Sequence, residues 1–378
     1  MSLRTGIVGL PNVGKSTLFN ALTRNKVSSE NYPFCTIEPN TAMAPIKDHR
    51  LDELGQLMEG QPKIIPASLQ LTDIAGLVKG ASSGEGLGNQ FLGQIREVDA
   101  LTHVVRCFHD SQVVHVHGRP NPRDDIEVIS YEFIMADLTT VEGSLEKQHK
   151  LMKRGDKKAY AMIPWLTELQ EHLSLSKPAR SFYPENSEIT VMINQLHLLS
   201  GKKQLYVCNV SESWRQGDDS EESEHVQQVF DYATNEGSEC MVLSAKIEAE
   251  ISELSSAEER QDMLDALGMS HSGLEQLVKK SYKLLSLFHY FTAGPKEVRA
   301  WTIPIGMRAR EAAGVIHSDF ARGFICAEVY QVADLILHKQ KSVLKEKALV
   351  RTEGQDYVVQ DGDVIEFKFQ VSRSGKSV

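Results

Sequence analysis

The 378-residue chain has few cysteines, no long apolar run and no excess of positive charge. Its five cysteines are scattered and never stand in C-x-x-C spacing, which argues against a disulfide framework or a thiolate metal site. No run of about 18 apolar residues occurs, so the sequence predicts no membrane span. The formal net charge of -10 disfavours nonspecific nucleic-acid binding, so any contact with RNA must use a local basic surface.

We expect no cleavable leader, because the first predicted strand begins by Leu3 and leaves no room for a charged, apolar or Arg-rich segment before it. We therefore expect a cytoplasmic protein. The content of 41% apolar and 24% charged residues is ordinary for a soluble globular protein. The length predicts about two or three domains.

A phosphate-binding loop stands near the N-terminus. Residues 9–16 read GLPNVGKS and match G-x-x-x-x-G-K-[ST] at every fixed position. Its glycines let backbone N–H groups wrap a polyphosphate, while Lys15 supplies a charge to the outer phosphates and Ser16 a hydroxyl to Mg²⁺. The alternative is a glycine-rich turn that fits by chance. A predicted strand up to Val8 and a predicted helix from Lys15 to Arg24 favour the phosphate loop.

A second motif, D-x-x-G, follows a predicted strand over residues 69–72. Asp73 is placed to hold Mg²⁺, commonly through a water, and the N–H of Gly76 to approach the terminal phosphate. Between the two motifs, residues 32–39 contain Thr36, whose hydroxyl would complete the metal shell. D-x-x-G alone is a weak signal, and a solvated turn is the alternative for residues 32–39.

Two further motifs occupy the positions of base-contacting loops. An apolar strand over residues 204–208 ends in Asn-Val-Ser-Glu at 209–212, where a GTPase has Asn-Lys-x-Asp. Another strand over 240–243 ends in Ser-Ala-Lys at 244–246. All four motifs follow strands and would meet at the carboxyl edge of one parallel sheet. This convergence predicts a nucleotide hydrolase of the GTPase type.

Two of these motifs are altered. Glu212 is one methylene longer than the guanine-binding aspartate, and Val210 lacks the lysine stem that packs on the base, so guanine specificity is weakened. Adenine remains an alternative if backbone carbonyls near Asn209 and Val210 meet its amine. Leu77 stands where a GTPase commonly has the glutamine that orients water. Hydrolysis is therefore expected to be slow, or another group must orient the water.

Eight segments together resemble a known family: residues 9–17, 31–40, 73–81, 84–92, 105–108, 290–294, 297–302 and 359–363. They are similar to the Obg-like ATPase, or YchF, family of P-loop proteins, and they cover nearly the whole chain. The resemblance implies an α/β fold in which a G domain carries a helical insertion and precedes a ubiquitin-like TGS domain. It also implies Mg²⁺-dependent use of ATP in preference to GTP, and association with the ribosome.

The resemblance also implies roles for individual residues. It assigns phosphate binding to Asn12, Val13, Gly14, Lys15, Ser16 and Thr17, magnesium binding to Ser16 and Thr36, and base contact to the backbone of Val210. From the residues alone, Asn209, Glu212, Ser244 and Ala245 are candidates for the base site. The family's mobile-loop histidine matches His115, a candidate for the missing water-orienting group. The alternative is a surface histidine with no chemical task.

The periodicity outlines the domains. Apolar stripes at Ile134, Leu138, Val141 and Leu145, and at Met162, Leu166, Leu169 and Leu173, predict an antiparallel helical hairpin, or short coiled coil, that emerges from the G domain. Short strands around a helix near residues 309–316 predict a C-terminal β-grasp sheet. The predicted divisions are 1–125 and 201–292 for the G domain, 126–200 for the insertion, 293–372 for the TGS domain and 373–378 for a tail.

Three functional hypotheses remain open. The first is a monomeric ATPase that associates with the ribosome, through its large subunit, in regulation of translation or the stress response. Its catalytic groups would be Lys15, Gly76 and His115. The insertion and the TGS domain would contact RNA, with Lys339, Lys341, Lys345 and Lys347 as the local basic cluster; a solvated helix face is the alternative. The second is a nucleotide-gated binding module with incidental turnover. The third is a translation-type GTPase, supported by Ser-Ala-Lys at 244–246.

Overall fold

The computed structural model describes residues 4–24, 40–74, 89–116 and 118–370. Three of the predicted functional positions, Thr36, Gly76 and Leu77, lie outside the described residues. In the described part the chain forms two mixed sheets, each of six strands. The strands are β1 Arg4–Val8, β2 Thr41–Pro45, β3 Lys63–Ile65, β4 Ser68–Asp73, β5 Ala100–Arg106, β6 Lys203–Asn209, β7 Glu239–Leu243, β8 Leu287–Ala293, β9 Glu297–Pro304, β10 Phe324–Gln331, β11 Arg351–Glu353 and β12 Asp363–Phe369.

The first sheet has the order β2-β4-β1-β5-β6-β7. All of its neighbouring strands run parallel except β2, which is antiparallel to β4. Strands β1 and β5 are almost wholly buried, as expected for a parallel sheet covered on both faces. The carboxyl ends of β1, β4, β6 and β7 meet at one edge, which is where the predicted nucleotide motifs begin.

The helices cover these sheets and extend from them. They are α1 Lys15–Arg24, α2 His49–Leu57, α3 Asn89–Glu97, α4 Pro122–Met152, α5 Lys157–Ser174, α6 Ser187–Asn194, α7 Glu221–Asn235, α8 Ala245–Glu253, α9 Ala257–Ala266, α10 Gly273–Leu284, α11 Ala309–Ile316, α12 Ser318–Arg322, α13 Val332–His338 and α14 Lys341–Glu346. Within the described ranges, none of them combines the length and the apolarity needed to cross a membrane.

Local signals explain where several helices begin. Helix α4 starts with Pro122 at its first turn, where a proline removes no helical hydrogen bond. Helix α5 is capped by Asp156, whose carboxylate accepts from the N–H groups of Lys158 and Ala159. Ser256 and Glu259 form a capping box at α9. The N-terminus of each of these helices can therefore be predicted from a few neighbouring residues.

Helices α4 and α5 pack against each other through the two apolar stripes that the sequence shows. Ile134 and Val141 on α4 lie in one buried cluster with Leu166 and Leu169 on α5. Asp137 anchors α4 to the segment before β6, because its buried carboxylate accepts from the N–H groups of Leu199 and Ser200 at 2.8 Å each. The long helix pair is therefore attached to the first sheet at its base.

The second sheet has the order β11-β10-β12-β8-β9-β3. Its outermost strand, β3, comes from the N-terminal part of the chain and pairs in parallel with β9. Helix α2 also joins this lobe, since its buried Leu51 and Leu54 lie in one cluster with Phe291 and Leu335. The predicted division between residues 292 and 293 falls inside β8. The structure places both β8 and residues 49–65 with the C-terminal sheet.

A polar cluster joins the two lobes beside α2. Asp48 caps α2 through the N–H of Arg50 at 2.9 Å and lies 2.5 Å from Nε2 of His289 on β8. The guanidinium of Arg50 reaches both Asp48, at 2.7 Å, and Asp361, at 3.1 Å. Although burial alone would raise the pKa of Asp48, the hydrogen bonds from His289 and Arg50 hold it well below its usual range.

The lysines of the C-terminal basic cluster are partly neutralised. Lys341 lies 3.0 Å from Glu328 and 2.6 Å from Glu366, and Lys345 lies 4.0 Å from Glu328. This surface therefore carries less net positive charge than its lysines alone would give.

Candidate nucleotide-binding site

The phosphate loop adopts backbone conformations that require its two fixed glycines. Gly9 has φ +153° and Gly14 has φ +99°, both in the region that favours glycine. A Cβ on Gly9 would lie 2.4 Å from the carbonyl oxygen of Val104, and one on Gly14 would lie 2.2 Å from Nδ2 of Asn209. The pattern is therefore fixed by close packing as well as by the need for a phosphate to approach the backbone.

Lys15 is folded back onto its own loop. Its ammonium donates to the carbonyl oxygens of Gly9, at 2.9 Å, and Leu10, at 2.7 Å. Burial lowers the pKa of Lys15 to about 8, and the nearby charge of Asp73 opposes that shift. A phosphate oxygen offers the ammonium a stronger, charged acceptor than these carbonyls. The lysine is thus stored within reach of an incoming polyphosphate.

Asp73 provides a place for a divalent cation. It ends β4, and its Oδ1 is buried with no hydrogen-bond partner among the described residues. Burial raises its pKa, and the charge of Lys15 opposes that rise. An uncompensated buried carboxylate oxygen is costly, and a hard cation would satisfy it. Ser16, exposed at the start of α1, is the other predicted ligand in the described chain. The residues present therefore fit Mg²⁺.

Asn209 connects two of the predicted motifs. Its Nδ2 donates to the carbonyl oxygen of Val13, and its Oδ1 accepts from the N–H of Ala245, both at 2.8 Å. The side chain is almost completely buried. Asn209 was predicted as a base contact, but here both ends of its amide link the phosphate loop to the loop at 244–245. Ala245 and Val13 are held together by it.

The two loops predicted to contact the base are also joined at the surface. Lys246 lies 2.6 Å from Glu212, and this contact raises the pKa of Lys246. The backbones of the same two segments are also joined, because the N–H of Val210 donates to the carbonyl oxygen of Leu243 at 3.0 Å. The hydroxyl of Ser244 is buried and has no hydrogen-bond partner among the described residues. The residues predicted to contact the base therefore lie close together. Glu212 and Lys246 form an ion pair there, and the Ser244 hydroxyl is the buried group without a partner among the described residues.

His115 is not the exposed ring that a mobile, turn-rich loop suggested. Its side chain is only 1% exposed, and its Nε2 lies 3.0 Å from Oδ2 of Asp125, which is 4% exposed. The neighbouring Val114 accepts a hydrogen bond from Nδ2 of Asn12 at 3.0 Å through its carbonyl. The backbone beside His115 therefore touches the phosphate loop, while the imidazole is engaged with the first turn of α4.

Arg106 organises the segment that leads to His115, and sequence reasoning missed it. Its guanidinium, almost fully buried, donates to the carbonyl oxygens of Phe108 at 3.2 Å, Asp110 at 3.1 Å and Val113 at 3.1 Å. It also lies 4.5 Å from the centre of the Phe108 ring. Burial lowers its pKa, and the charge of Asp110 opposes that shift. The available signal was an arginine at the end of a strand that contains no other residue with a permanent charge.

A strand, a glycine-bounded loop, a helix and an aspartate at the carboxyl edge of a parallel sheet define a P-loop nucleotide-binding protein of the G-domain class. Two family models match this chain. One is described as "50S ribosome-binding GTPase" and matches residues 4–154. The other, YchF-GTPase_C, is described as "Protein of unknown function (DUF933)" and matches residues 287–370.

Full-length relatives narrow the class. The "Ribosome-binding ATPase YchF" of Bacillus subtilis is 51% identical over 373 residues, which cover 98% of this chain and 100% of the relative. That of Escherichia coli O157:H7 is 47% identical, with 98% and 100% covered. The "Structure of the Schizosaccharomyces pombe YchF GTPase" superposes with a TM-score of 0.86 at 34% identity, covering 97% of this chain and 98% of that one. The chain belongs to the YchF family.

Proposed function

We propose that this protein is a ribosome-associated ATPase that hydrolyses ATP slowly. The observation that carries the proposal is the assembled phosphate site, in which Lys15 is stored on the loop, Asp73 offers a free buried oxygen, and Asn209 fixes the loop against Ala245. Relatives of matching length that are named as ribosome-binding ATPases support both the reaction and the partner.

Each residue of the proposed nucleotide site has its own role in phosphoryl transfer. Asn12 to Thr17 bind the phosphates, and Lys15 leaves the carbonyls of Gly9 and Leu10 to neutralise charge on the outer phosphates. Ser16, Thr36 and Asp73 would hold Mg²⁺, which supplies positive charge to the transferring group when bound. The N–H of Gly76 fixes the terminal phosphate, and His115 places the attacking water once its ring is free of Asp125.

The ion pair between Glu212 and Lys246 supports a preference for ATP. Guanine recognition requires a carboxylate that accepts from two N–H groups of the base, but the Glu212 carboxylate is already bound to Lys246 at 2.6 Å. Adenine lacks those two donors, so it does not need the Glu212 carboxylate, and backbone carbonyls near Asn209 and Val210 can accept from its amine. Some use of GTP remains compatible with the Ser-Ala-Lys loop.

Nucleotide titration tests this preference. We expect tighter binding of MgATP than of MgGTP by the unmodified chain. The ratio of the MgATP affinity to the MgGTP affinity should fall in Lys246→Ala, because this change frees the Glu212 carboxylate. It should also fall in Glu212→Asp, which restores the shorter side chain. A tenfold preference of the unmodified chain for GTP would contradict the proposal.

We also propose roles for the helical insertion and the C-terminal sheet. Residues 126–200 form the inserted helical arm, and the C-terminal sheet forms a β-grasp domain of the TGS type. Both are proposed to contact RNA on the large ribosomal subunit, and the protein is proposed to act as a cytoplasmic monomer. Cosedimentation with separated ribosomal subunits, with and without ATP, tests the partner; recovery with the small subunit alone would refute it.

A nucleotide-gated binding module is the second candidate, and one observation favours it. With His115 engaged by Asp125, the described conformation has no water-orienting histidine ready. Partner affinity measured with ATP, with ADP and without nucleotide distinguishes the two roles. Equal affinities in all three states would eliminate nucleotide gating.

A further inference from the structure

The contact between His115 and Asp125 holds the imidazole in a buried position. The side chains are 1% and 4% exposed, and Nε2 lies 3.0 Å from Oδ2. On either side of this buried ring, residue Val114 is 76% exposed and residue Val116 is 39% exposed. The contact with Asp125 therefore restrains a ring that lies between two exposed apolar residues. A restraint of this kind limits the access of the imidazole to a substrate.

The rest of the segment is held independently of this contact. Arg106 binds three carbonyls between Phe108 and Val113, and Asn12 binds the carbonyl of Val114 at 3.0 Å. These hydrogen bonds all end on backbone atoms, so they fix the course of the chain without fixing the imidazole. A change at Asp125 can therefore release the ring while the backbone remains beside the phosphate loop.

Asp125 belongs to a different element from His115. It lies in the first turn of α4, where the helix N-terminus stabilises a carboxylate, and the charge of Arg106 also favours it. Helix α4 continues to Met152 and packs along α5. The first turn of α4, the helix that leads into the helical arm, thus provides the group that retains the histidine.

We propose that Asp125 is a latch that holds His115 in a resting position, and that displacement of the first turn of α4 releases the imidazole toward the nucleotide. This inference rests on the proposed role of His115 in hydrolysis. Asp125 is accordingly a positioning residue whose contact restrains turnover. Movement of the first turn of α4 and hydrolysis are coupled through the contact between Asp125 and His115.

The test compares Asp125→Asn with Asp124→Asn in the full chain. Both changes remove one carboxylate from the same helical turn, but Asp124 is exposed and its carboxylate accepts from Nδ2 of Asn121, whereas Asp125 is bound to His115. Weakening a charge-assisted contact should raise the kcat for ATP roughly three- to tenfold in Asp125→Asn. The KM should change less than the kcat, and Asp124→Asn should match the unmodified chain. Thermal unfolding of each variant establishes that it is folded.

A second readout does not depend on turnover. Diethyl pyrocarbonate modification of His115, followed by peptide mass spectrometry, should be slow in the unmodified chain and faster in Asp125→Asn, while His225, which is buried elsewhere, stays slow in both. The activity gain should disappear in the double variant Asp125→Asn, His115→Ala. If Asp125→Asn is folded but no faster in turnover, or if it is slower, the latch is refuted.

The single variant His115→Ala separates this inference from the proposed role of His115. Wild-type hydrolysis by His115→Ala would remove His115 from the mechanism, and the latch with it. Impaired hydrolysis by His115→Ala, combined with no gain in Asp125→Asn, would refute the latch alone. If Asp125→Asn does not fold, Asp125→Glu, which keeps the charge but changes its reach, provides the same comparison.

Discussion

Replacing Asn209 by alanine should disconnect the phosphate loop from the loop that begins at Ser244. The amide donates to the carbonyl oxygen of Val13 and accepts from the N–H of Ala245, each at 2.8 Å. Alanine removes both hydrogen bonds and leaves a space beside Gly14. The change acts on the position of two loops without removing a group that binds phosphate.

The expected loss of MgATP affinity in Asn209→Ala follows from the burial of Asn209 and its hydrogen-bond partners. Asn209 is 4% exposed and Ala245 is 3% exposed, so water replaces the lost amide poorly. Each buried backbone group left without a partner costs about 1–3 kcal/mol. A combined cost of about 2 kcal/mol, at the lower end, corresponds to a roughly 30-fold weaker affinity if nucleotide binding must restore the loop arrangement.

Isothermal titration with MgATP measures this loss, and thermal unfolding of the ligand-free variants measures the accompanying destabilisation. Asn194→Ala is the matched control, because Asn194 is exposed at the end of α6. It should bind like the unmodified chain. If Asn209→Ala binds MgATP within about twofold of the unmodified chain, the two hydrogen bonds do not position the loop and the reasoning fails.

Three further results are expected. Gly14→Ala should bind ATP weakly by titration, because φ is +99° and the added Cβ would lie 2.2 Å from Nδ2 of Asn209; normal affinity would contradict the model of the loop. Burial lowers the pKa of Lys15 to about 8, so ATP affinity should fall as pH rises through 8, whereas Lys15→Arg should show no such fall. Burial opposes ionisation of Asp48, but hydrogen bonds, led by that from His289, lower its pKa. Its stabilising contribution is present above the unfolded pKa of about 3.9 and is lost as pH falls below it, so urea unfolding of Asp48→Asn should show lower stability at neutral pH and a weaker acid dependence.

The sequence predicts the parts of this protein that depend on neighbouring residues. The phosphate loop, the strand before it and helix α1 are all determined within residues 4–24. Ser256 and Glu259, three residues apart, mark the start of α9. Apolar stripes on α4 and α5 predict their packing, because helical periodicity is a local property of the chain.

Features that depend on distant partners were not predictable in this way. Strand β3 has only three residues, and its pairing with β9 joins segments far apart in the chain. The burial of His115 depends on Asp125, and in sequence both residues belong to a polar stretch that indicates solvent exposure. Asn209 was predicted to contact the base, but its hydrogen bonds to Val13 and Ala245 are visible only when three separate loops come together.

The position of α2 and β3 has a consequence for how the chain can be divided. The stretch from residue 46 to residue 67 leaves the nucleotide-binding sheet after β2, contributes a helix and an edge strand to the other lobe, and returns through β4 to Asp73. A truncation before residue 287 would expose Leu51 and Leu54 and leave β3 without its neighbour. The C-terminal lobe therefore cannot be excised by a single cut, and expression of the nucleotide-binding half alone should yield a protein prone to aggregation.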